Sequence, residues 1–184
     1  MRLGKDLVGK PIYSVTEGRL LGEVKDLYLD NEARAIMGIY LGKEGLFRSK
    51  ALLIPREGVA VFGLDAILVK NDAAVTDSNQ FAPVAGWLRR GDLQGRGIDS
   101  PGGTKVGTVG DVIVDDEANV VGFSLARVHV EGPIAQNRLI AREAVQDVGQ
   151  VDGVMTVDIA RAEATPLEAL PEDEAETSGK AANL

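Results

Sequence analysis

Two aspartates that stand in the same local sequence are the residues best placed to do chemistry. Asp26 lies in GEVKDLYLD and Asp111 in GTVGDVIVD, and the two stretches share four of nine residues. A pair of carboxylates can act as general acid and general base when their environments give them different pKa values. A short acidic side chain can equally accept backbone N–H groups and hold a bend in a strand. We interpret Asp26 and Asp111 as structural residues, because the strand in which each lies needs such a bend.

The apolar pattern around these aspartates is the reason for the bend. Regular alternation would place Val24 and Asp26 on one face of the strand and leave Leu27 and Leu29 on the other. A slip of the pleat by one residue, a β-bulge, brings Val24 to the side of Leu27 and Leu29. In the second stretch a glycine precedes Asp111, where a bulge tolerates glycine well. The sequence therefore predicts a bulge or strong bend at both aspartates. The glycines assigned to these bends are Gly22, Gly107 and Gly110.

The other residue types that carry catalysis or bind metals lack the partners that they need. The chain has no cysteine and one histidine, His129, which we predict as a half-buried strand residue outside any zinc site or catalytic triad. The acidic turns at residues 30–32 and 115–117 lack the ligand spacing of a calcium loop. The Gly-rich SPGGTKVG, residues 100–107, lies between two strand-like runs and predicts a hairpin turn. We therefore predict no catalytic residue, no metal site and no cofactor.

Charge is distributed unevenly along the chain, whose net charge is −8. Residues 1–77 hold 11 basic and 11 acidic side chains, residues 78–164 hold 8 and 12, and residues 165–184 hold 1 and 5. A surface that neutralises many phosphates is basic, so this distribution disfavours general nucleic-acid binding. No apolar run approaches the roughly 18 residues that span a bilayer, and the first residues lack the succession of a secretory signal. The sequence therefore predicts a cytoplasmic protein with no transmembrane segment.

The chain consists of two successive copies of one pattern. DLVG at residues 6–9 is echoed by DLQG at residues 92–95, and IPREGV at 54–59 is echoed by IAREAV at 140–145. The matches keep the same order at offsets of 84–86 residues, which indicates a tandem duplication. The domains that we predict are a first copy over 1–77, a linker over 78–90, a second copy over 91–164 and a disordered acidic tail over 165–184.

Each copy is made mainly of short extended runs. Apolar stretches of four to eight residues, such as KALLIP and DAILVK, alternate with turn sequences such as TEG and GKEG. A few stretches, REGVAVFG among them, leave room for a short helical turn. Several short strands at close spacing predict an all-β chain, with one small antiparallel barrel or sandwich per copy.

The order of these motifs resembles the PRC-barrel family. In the first copy the resemblance is carried by Asp6, Leu7, Gly9, Lys10, Pro11, Ile12, Gly22, Val24, Asp26, Leu27, Tyr28, Leu29, Asp30, Gly38, Ile54 and Pro55. The second copy keeps Asp92, Leu93, Gly95, Gly107, Val109, Asp111 and Asp115. It departs from the pattern at Arg96 and Gly97, which stand where the first copy has Lys-Pro, and at Ala141, which stands where the first copy has proline.

The resemblance implies two small antiparallel PRC-type β-barrels in tandem. In the photosynthetic reaction-centre H subunit and in the ribosome maturation factor RimM, barrels of this family dock onto larger assemblies and catalyse nothing themselves. We therefore expect a non-enzymatic interaction or assembly scaffold with a protein partner, and exposed barrel edges leave a homodimer open. One alternative is a binding module associated with the ribosome or with RNA processing. A second alternative, which the sequence favours less, is a protein that binds a small ligand or a metal.

One segment differs strongly between the copies, and we predict either that it contacts the partner or that its Phe47 folds back on the barrel. GKEGLFRSK, which starts at Gly42, places basic residues around an apolar tip, whereas the second copy has EGPIAQNRL there. Basic residues around exposed apolar ones are typical of protein-binding loops. An Arg-Glu pair after a strand in each copy is most simply a turn or helix start, and its arginines are two further candidates. The predicted partner-binding residues are Lys43, Leu46, Phe47, Arg48, Lys50, Arg56 and Arg142.

Overall fold

The computed structural model describes residues 1–45, 50–150 and 153–168, and within them the chain is mostly β with a few short helices. The N-terminal half, residues 1–86, contains β1 (Arg2–Leu3), β2 (Pro11–Ser14), β3 (Leu20–Glu23), β4 (Asp26–Leu29), β5 (Ile36–Glu44), β6 (Lys50–Pro55), β7 (Val59–Phe62), β8 (Ile67–Val69) and β9 (Thr76–Asp77). The C-terminal half, residues 87–168, contains β10 (Leu88–Arg89), β11 (Gly97–Asp99), β12 (Lys105–Val114), β13 (Val120–Val128), β14 (Leu139–Ala141), β15 (Val145–Asp147) and β16 (Val154–Val157). The α-helices are α1 (Arg90–Leu93), α2 (Pro133–Asn137) and α3 (Ile159–Ala164). Single 3-10 turns cover Gly4–Leu7, Arg56–Gly58, Asp72–Ala74, Ser78–Gln80, Ala82–Gly86 and Arg142–Ala144.

The hairpins β4–β5 and β12–β13 form around the same acidic turn. Asp30 Oδ1 accepts the backbone N–H groups of Glu32 and Arg34 at 3.2 and 2.7 Å. Asp115 Oδ1 makes the same two bonds, at 3.0 and 2.8 Å, to the residues two and four positions further on. Aspartate is suited to this place because its short side chain bonds to the backbone of its own turn. One residue in each turn adopts a left-handed conformation, Ala33 with φ 51° and Ala118 with φ 65°.

Strands of the N-terminal half are divided between two sheets. A four-stranded sheet has the order β3-β2-β8-β7, in which β2 and β8 are parallel and the other pairs are antiparallel. A five-stranded antiparallel sheet has the order β10-β4-β5-β6-β9. The chain passes from the first sheet to the second between Glu23 and Asp26. This break lies where the sequence predicts a bend at Asp26.

The C-terminal half forms one curled sheet of the order β14-β13-β12-β11-β16-β15, and β1 is added beside β12. Strand β12 runs without a break through the region that β3 and β4 cover in the other half. Its register against β13 shifts between Val109 and Asp111, so that Gly110 lies in the irregularity. A glycine suits this point, because a bulge brings backbones close and bends the strand.

Each half gives its first strand to the sheet of the other half. Strand β1 pairs with β12 and places Leu3 opposite Ile113. Strand β10 pairs with β4 and places Leu88 opposite Leu29. The two hairpin turns also meet, through an antiparallel bridge between Ala35 and Asn119. The buried apolar side chains of both halves form one cluster, so the halves are packed as one body.

The segment 78–90, predicted to be a linker, is built into this body at its end. Trp87 packs on Tyr28 and Phe81, with ring centroids 5.8 and 5.4 Å apart. The next two residues form β10, and Arg90 begins α1. The sequence could not reveal β10, because this strand is only two residues long and its partner β4 lies in the opposite half.

Candidate interaction surfaces

Asp26 and Asp111 lie between the two halves, and each binds the first helical turn of the opposite half. Asp26 Oδ2 accepts the backbone N–H of Gly91 at 3.2 Å. Asp111 Oδ2 accepts the backbone N–H of Lys5 at 2.7 Å. Through Oδ1 each carboxylate also accepts the N–H of the residue that follows it in its own strand, at 2.9 and 2.8 Å. Each aspartate therefore fixes a local bend and a contact between halves at once.

A single arginine joins the two carboxylates. Arg90 is 8% exposed, and it donates from Nε to Asp26 Oδ1 at 3.2 Å and from Nη1 to Asp111 Oδ1 at 2.8 Å. A second arginine, Arg89, donates from Nε to Asp26 Oδ2 at 3.0 Å. Two guanidinium groups thus balance two carboxylates, as buried charges require. Asp26 and Asp111 are 5% and 4% exposed, and every carboxylate oxygen accepts a hydrogen bond from within the chain.

The position equivalent to Arg90 in the N-terminal half is Gly4, since each is the first residue of its helical turn. A Cβ atom built on Gly4 would lie 2.6 Å from Val112 Cγ2 and 2.8 Å from Arg90 Cδ. Contacts that short force a neighbour to move. The centre of the interface therefore has room for one arginine side chain, and the C-terminal half supplies it.

Arg89 covers the outer side of this charged centre. Its guanidinium carbon lies 3.8 Å from the ring centroid of Tyr40 and 5.9 Å from that of Tyr28, which are distances of cation–π contacts. Burial raises the pKa of Tyr28. The nearby Arg89 opposes this shift, and the charges of Tyr40 and Asp26 add to it.

Arg56 and Arg142, predicted to contact an external partner, bind the hairpin turn of the opposite half. Arg142 Nε donates to the carbonyl oxygens of Glu32 and Ala33 at 3.0 and 3.1 Å. Arg56 Nη2 donates to the carbonyl oxygen of Glu117. Burial lowers the pKa of the Arg142 guanidinium, and neighbouring carboxylates counteract this shift. Arg142 donates from all three guanidinium nitrogens and Arg56 from its two Nη atoms, so both residues form contacts between the halves.

A cleft lies on each side of the joint between the halves. One, of about 370 Å³, is lined largely by polar residues: Asn31, Glu32, Arg34, Arg142, Gln146, Asp147, Val148 and Gln150. The other, of about 420 Å³, is lined by Arg56, Val59, Ala60, Val61, Phe62, Asp116 and Glu117. The two clefts occupy equivalent positions, and the second has the more apolar wall because β7 lines it.

The outer face of the four-stranded sheet carries a row of exposed apolar side chains. Tyr13 of β2 pairs with Leu20 of β3 and Leu68 of β8, and Leu68 pairs with Val61 of β7. Directly paired residues point to the same side of a sheet, so the row crosses all four strands. The exposed fractions are 57% for Leu20, 40% for Tyr13, 36% for Leu68 and 49% for Val61. We call this row the Tyr13 face, together with the neighbouring Val15 and Leu64, which are 58% and 79% exposed.

The same four backbone positions are polar in the C-terminal half. Asp99 of β11 pairs with Lys105 of β12 and with Thr156 of β16, and Thr156 pairs with Asp147 of β15. This pairing repeats that of the Tyr13 face residue by residue. The fold is thus built with polar side chains at these positions, and the apolar row of the N-terminal half is not required by the backbone.

Charges of both signs surround the Tyr13 face. The exposed residues in the adjoining hairpins and strand ends are Glu17, Arg19, Glu23, Asp65 and Lys70. Arg19 forms an ion pair with Asp72 at 2.5 Å. An apolar centre with a polar, charged rim is the usual anatomy of a protein–protein interface.

The remaining predicted residues are placed only in part. Lys43 and Lys50 are exposed near the end of the β5–β6 hairpin. Leu46, Phe47 and Arg48 lie outside the described residues, as does the tail from residue 169 onward. His129 is exposed just after β13, which corrects the prediction of a half-buried strand residue. The valines on either side of His129 suggest a strand with one buried face. Strand β13, however, ends at Val128, one residue before His129.

Metal-ligand side chains do not gather in groups of three or more anywhere in the described part of the chain. Among the same residues, no helix has both the length and the apolar character to cross a membrane.

Comparison with known protein families gives a match in the N-terminal half. No curated protein matches the chain. The model of the PRC-barrel domain family matches residues 1–76, which form most of the N-terminal half and include the whole Tyr13 face. Residues 1–76 of this chain are therefore similar to a PRC-barrel domain.

Proposed function

We propose that the chain is a non-enzymatic interaction scaffold built from two PRC-like barrels in tandem, and that it binds a protein through the Tyr13 face. PRC-barrel domains are general interaction modules, and residues 1–76 match this family. The observation that carries the proposal is the exposed apolar row from Leu20 to Val61. Contiguous apolar surface of this kind marks interaction sites in proteins.

The contrast between the halves supports a functional origin of this row. Both halves use the same strand pairings, and only one of them exposes apolar side chains there. Exposed Leu and Val side chains add nothing to the core, whereas they lose water-accessible apolar area when a partner covers them. The second barrel then stabilises the first through the contacts of Asp26, Asp111 and Arg90. It does not present a second apolar face.

The proposal is tested by affinity capture with the tagged full chain, followed by mass spectrometry. Leu68→Lys places a charge in the centre of the row. Thr156→Lys places the same charge at the equivalent position of the C-terminal half and is the matched control. We expect a protein that the wild type and Thr156→Lys retain and that Leu68→Lys loses.

The function would be overturned if neither another protein nor a co-expressed copy of this chain with a different tag were retained reproducibly, or if Leu68→Lys retained everything that Thr156→Lys does. Circular dichroism and thermal unfolding of the three proteins check that the substitutions leave the fold intact. Both positions are solvent-accessible, so we expect changes in stability within about 0.5 kcal/mol.

A further inference from the structure

We propose that the partner on the Tyr13 face is the Tyr13 face of a second copy of this chain, a proposal that rests on the function proposed above. Two copies related by a two-fold axis in the plane of contact present the same patch to each other. With that axis parallel to the strands and between Tyr13 and Leu68, each tyrosine ring meets a leucine of the other copy. The same axis places Leu20 opposite Val61, so the row is complementary to itself.

The distribution of charge favours this occupant. The rim carries Glu17, Glu23 and Asp65 beside Arg19 and Lys70, so neither a strongly basic nor a strongly acidic partner is matched by it. Over residues 1–77 the basic and acidic side chains are equal in number, at 11 each. A nearly neutral surface with mixed signs can meet itself without net repulsion.

The excess of acidic side chains in the C-terminal half also favours a dimer through the Tyr13 faces. Residues 78–164 hold 8 basic against 12 acidic side chains, so contact through the C-terminal halves would bring like charge together. Contact through the Tyr13 faces keeps the acidic surfaces of the two copies apart. The polar row of Lys105, Asp99, Thr156 and Asp147 offers no apolar centre for an alternative face-to-face dimer.

The extent of the face sets the expected strength of the contact. Six apolar residues and a rim of five charged ones are fewer than the roughly 20–30 residues per side of a standard stable interface. The dimer should therefore dissociate on dilution, with a dissociation constant in the micromolar range. Because its centre is apolar, high salt should not weaken it, in contrast to an association held by charge pairs.

Sedimentation-velocity measurements on the purified full chain over a series of concentrations test the proposal. We expect the wild type and Thr156→Lys to pass from monomer to dimer over the same concentration range. Leu68→Lys should raise the dissociation constant by roughly tenfold or more, because it places a lysine without a partner in the apolar centre. Tyr13→Lys, at a second position of the row, should act in the same direction.

A wild type that stays monomeric at all concentrations, or a dimer that neither Leu68→Lys nor Tyr13→Lys weakens, would overturn this proposal. A dimer that high salt dissociates would also count against it. Its failure differs from failure of the proposed function. A monomeric wild type that captures another protein through Leu68 leaves the function standing and removes the second copy as the partner.

Discussion

The N-terminal and C-terminal halves place the same strand pairings around the same acidic turns, yet they differ at two sets of equivalent positions. In the interface between them, Gly4 faces Arg90. On the outer sheet face, Tyr13 and its neighbours correspond to Asp99 and its neighbours. The first difference lets the halves fit together, and the second leaves one half with a surface for a partner. The two halves thus differ where the backbone tolerates different side chains.

The largest effect is expected when the shared arginine is removed. Arg90→Ala leaves Asp26 and Asp111 buried, and Asp111 then loses the one side-chain cation that it has among the described residues. Breaking a buried ion pair by removing one partner costs about 3–5 kcal/mol, so the free energy of unfolding should fall by that amount. Urea denaturation followed by circular dichroism measures it. Arg89→Ala, at a half-exposed position, is the control and should cost about 1 kcal/mol or less. Equal losses in the two variants would refute a central role of Arg90.

Moving the arginine from one half to the other tests the equivalence of the two positions. Gly4→Arg alone should destabilise the chain by roughly 1–3 kcal/mol or more, because Arg90 and Val112 already fill the space. In combination with Arg90→Gly the new side chain can enter from the opposite side of the interface. The double variant should therefore be more stable in urea than Arg90→Gly. A double variant no more stable than Arg90→Gly would show that the halves are not interchangeable there.

Arg56 and Arg142, which donate hydrogen bonds to the hairpin turns, should differ in their contribution to stability. Arg142 is 7% exposed and bonds to three carbonyl oxygens, of Glu32, Ala33 and Val145. Arg56 is more exposed and bonds to the carbonyl oxygens of Ile36 and Glu117. Buried carbonyl groups left without donors cost about 1–3 kcal/mol, so Arg142→Ala should lower the free energy of unfolding more than Arg56→Ala. Thermal unfolding of both variants measures the difference, and the reverse order would contradict it.

The smallest effect is expected at Tyr28, and only at alkaline pH. Because its pKa in the folded chain is raised above the ordinary value of 10.0, folding favours the protonated phenol. The corresponding stability is complete below pH about 10 and is lost as the pH rises towards the folded pKa. Tyr28→Phe should therefore flatten the decline of the unfolding free energy above that pH. A decline as steep in Tyr28→Phe as in the wild type would contradict this prediction.

The sequence predicts the local elements well, because they depend on near neighbours. Short apolar runs indicate the strands, and the acidic turns around Asp30 and Asp115 depend on bonds within five residues. The structural interpretation of Asp26 and Asp111 depends on the same local pattern. The contact of each aspartate with the opposite half could not be predicted, since Gly91 and Lys5 are 65 and 106 positions away.

The Tyr13 face was missed for a related reason. Its four residues come from four strands, and only the register of those strands shows that they are neighbours. The signal was present in the alignment of the copies, where Tyr13, Leu20 and Val61 stand against Asp99, Lys105 and Asp147. An apolar residue that a polar one replaces in the other copy indicates an exposed position, and several such residues together indicate a surface.

By itself the sequence predicts that one pattern occurs twice, that short strands and acidic turns build it, and that its aspartates hold bends. These properties follow from hydrophobic periodicity and from hydrogen bonds within a few residues. Tertiary structure alone decides that each half completes the sheet of the other, that a single arginine fits between Asp26 and Asp111, and that Leu20, Tyr13, Leu68 and Val61 form one face. Such properties depend on which distant residues meet and on how much space they leave, and chain order does not encode either directly.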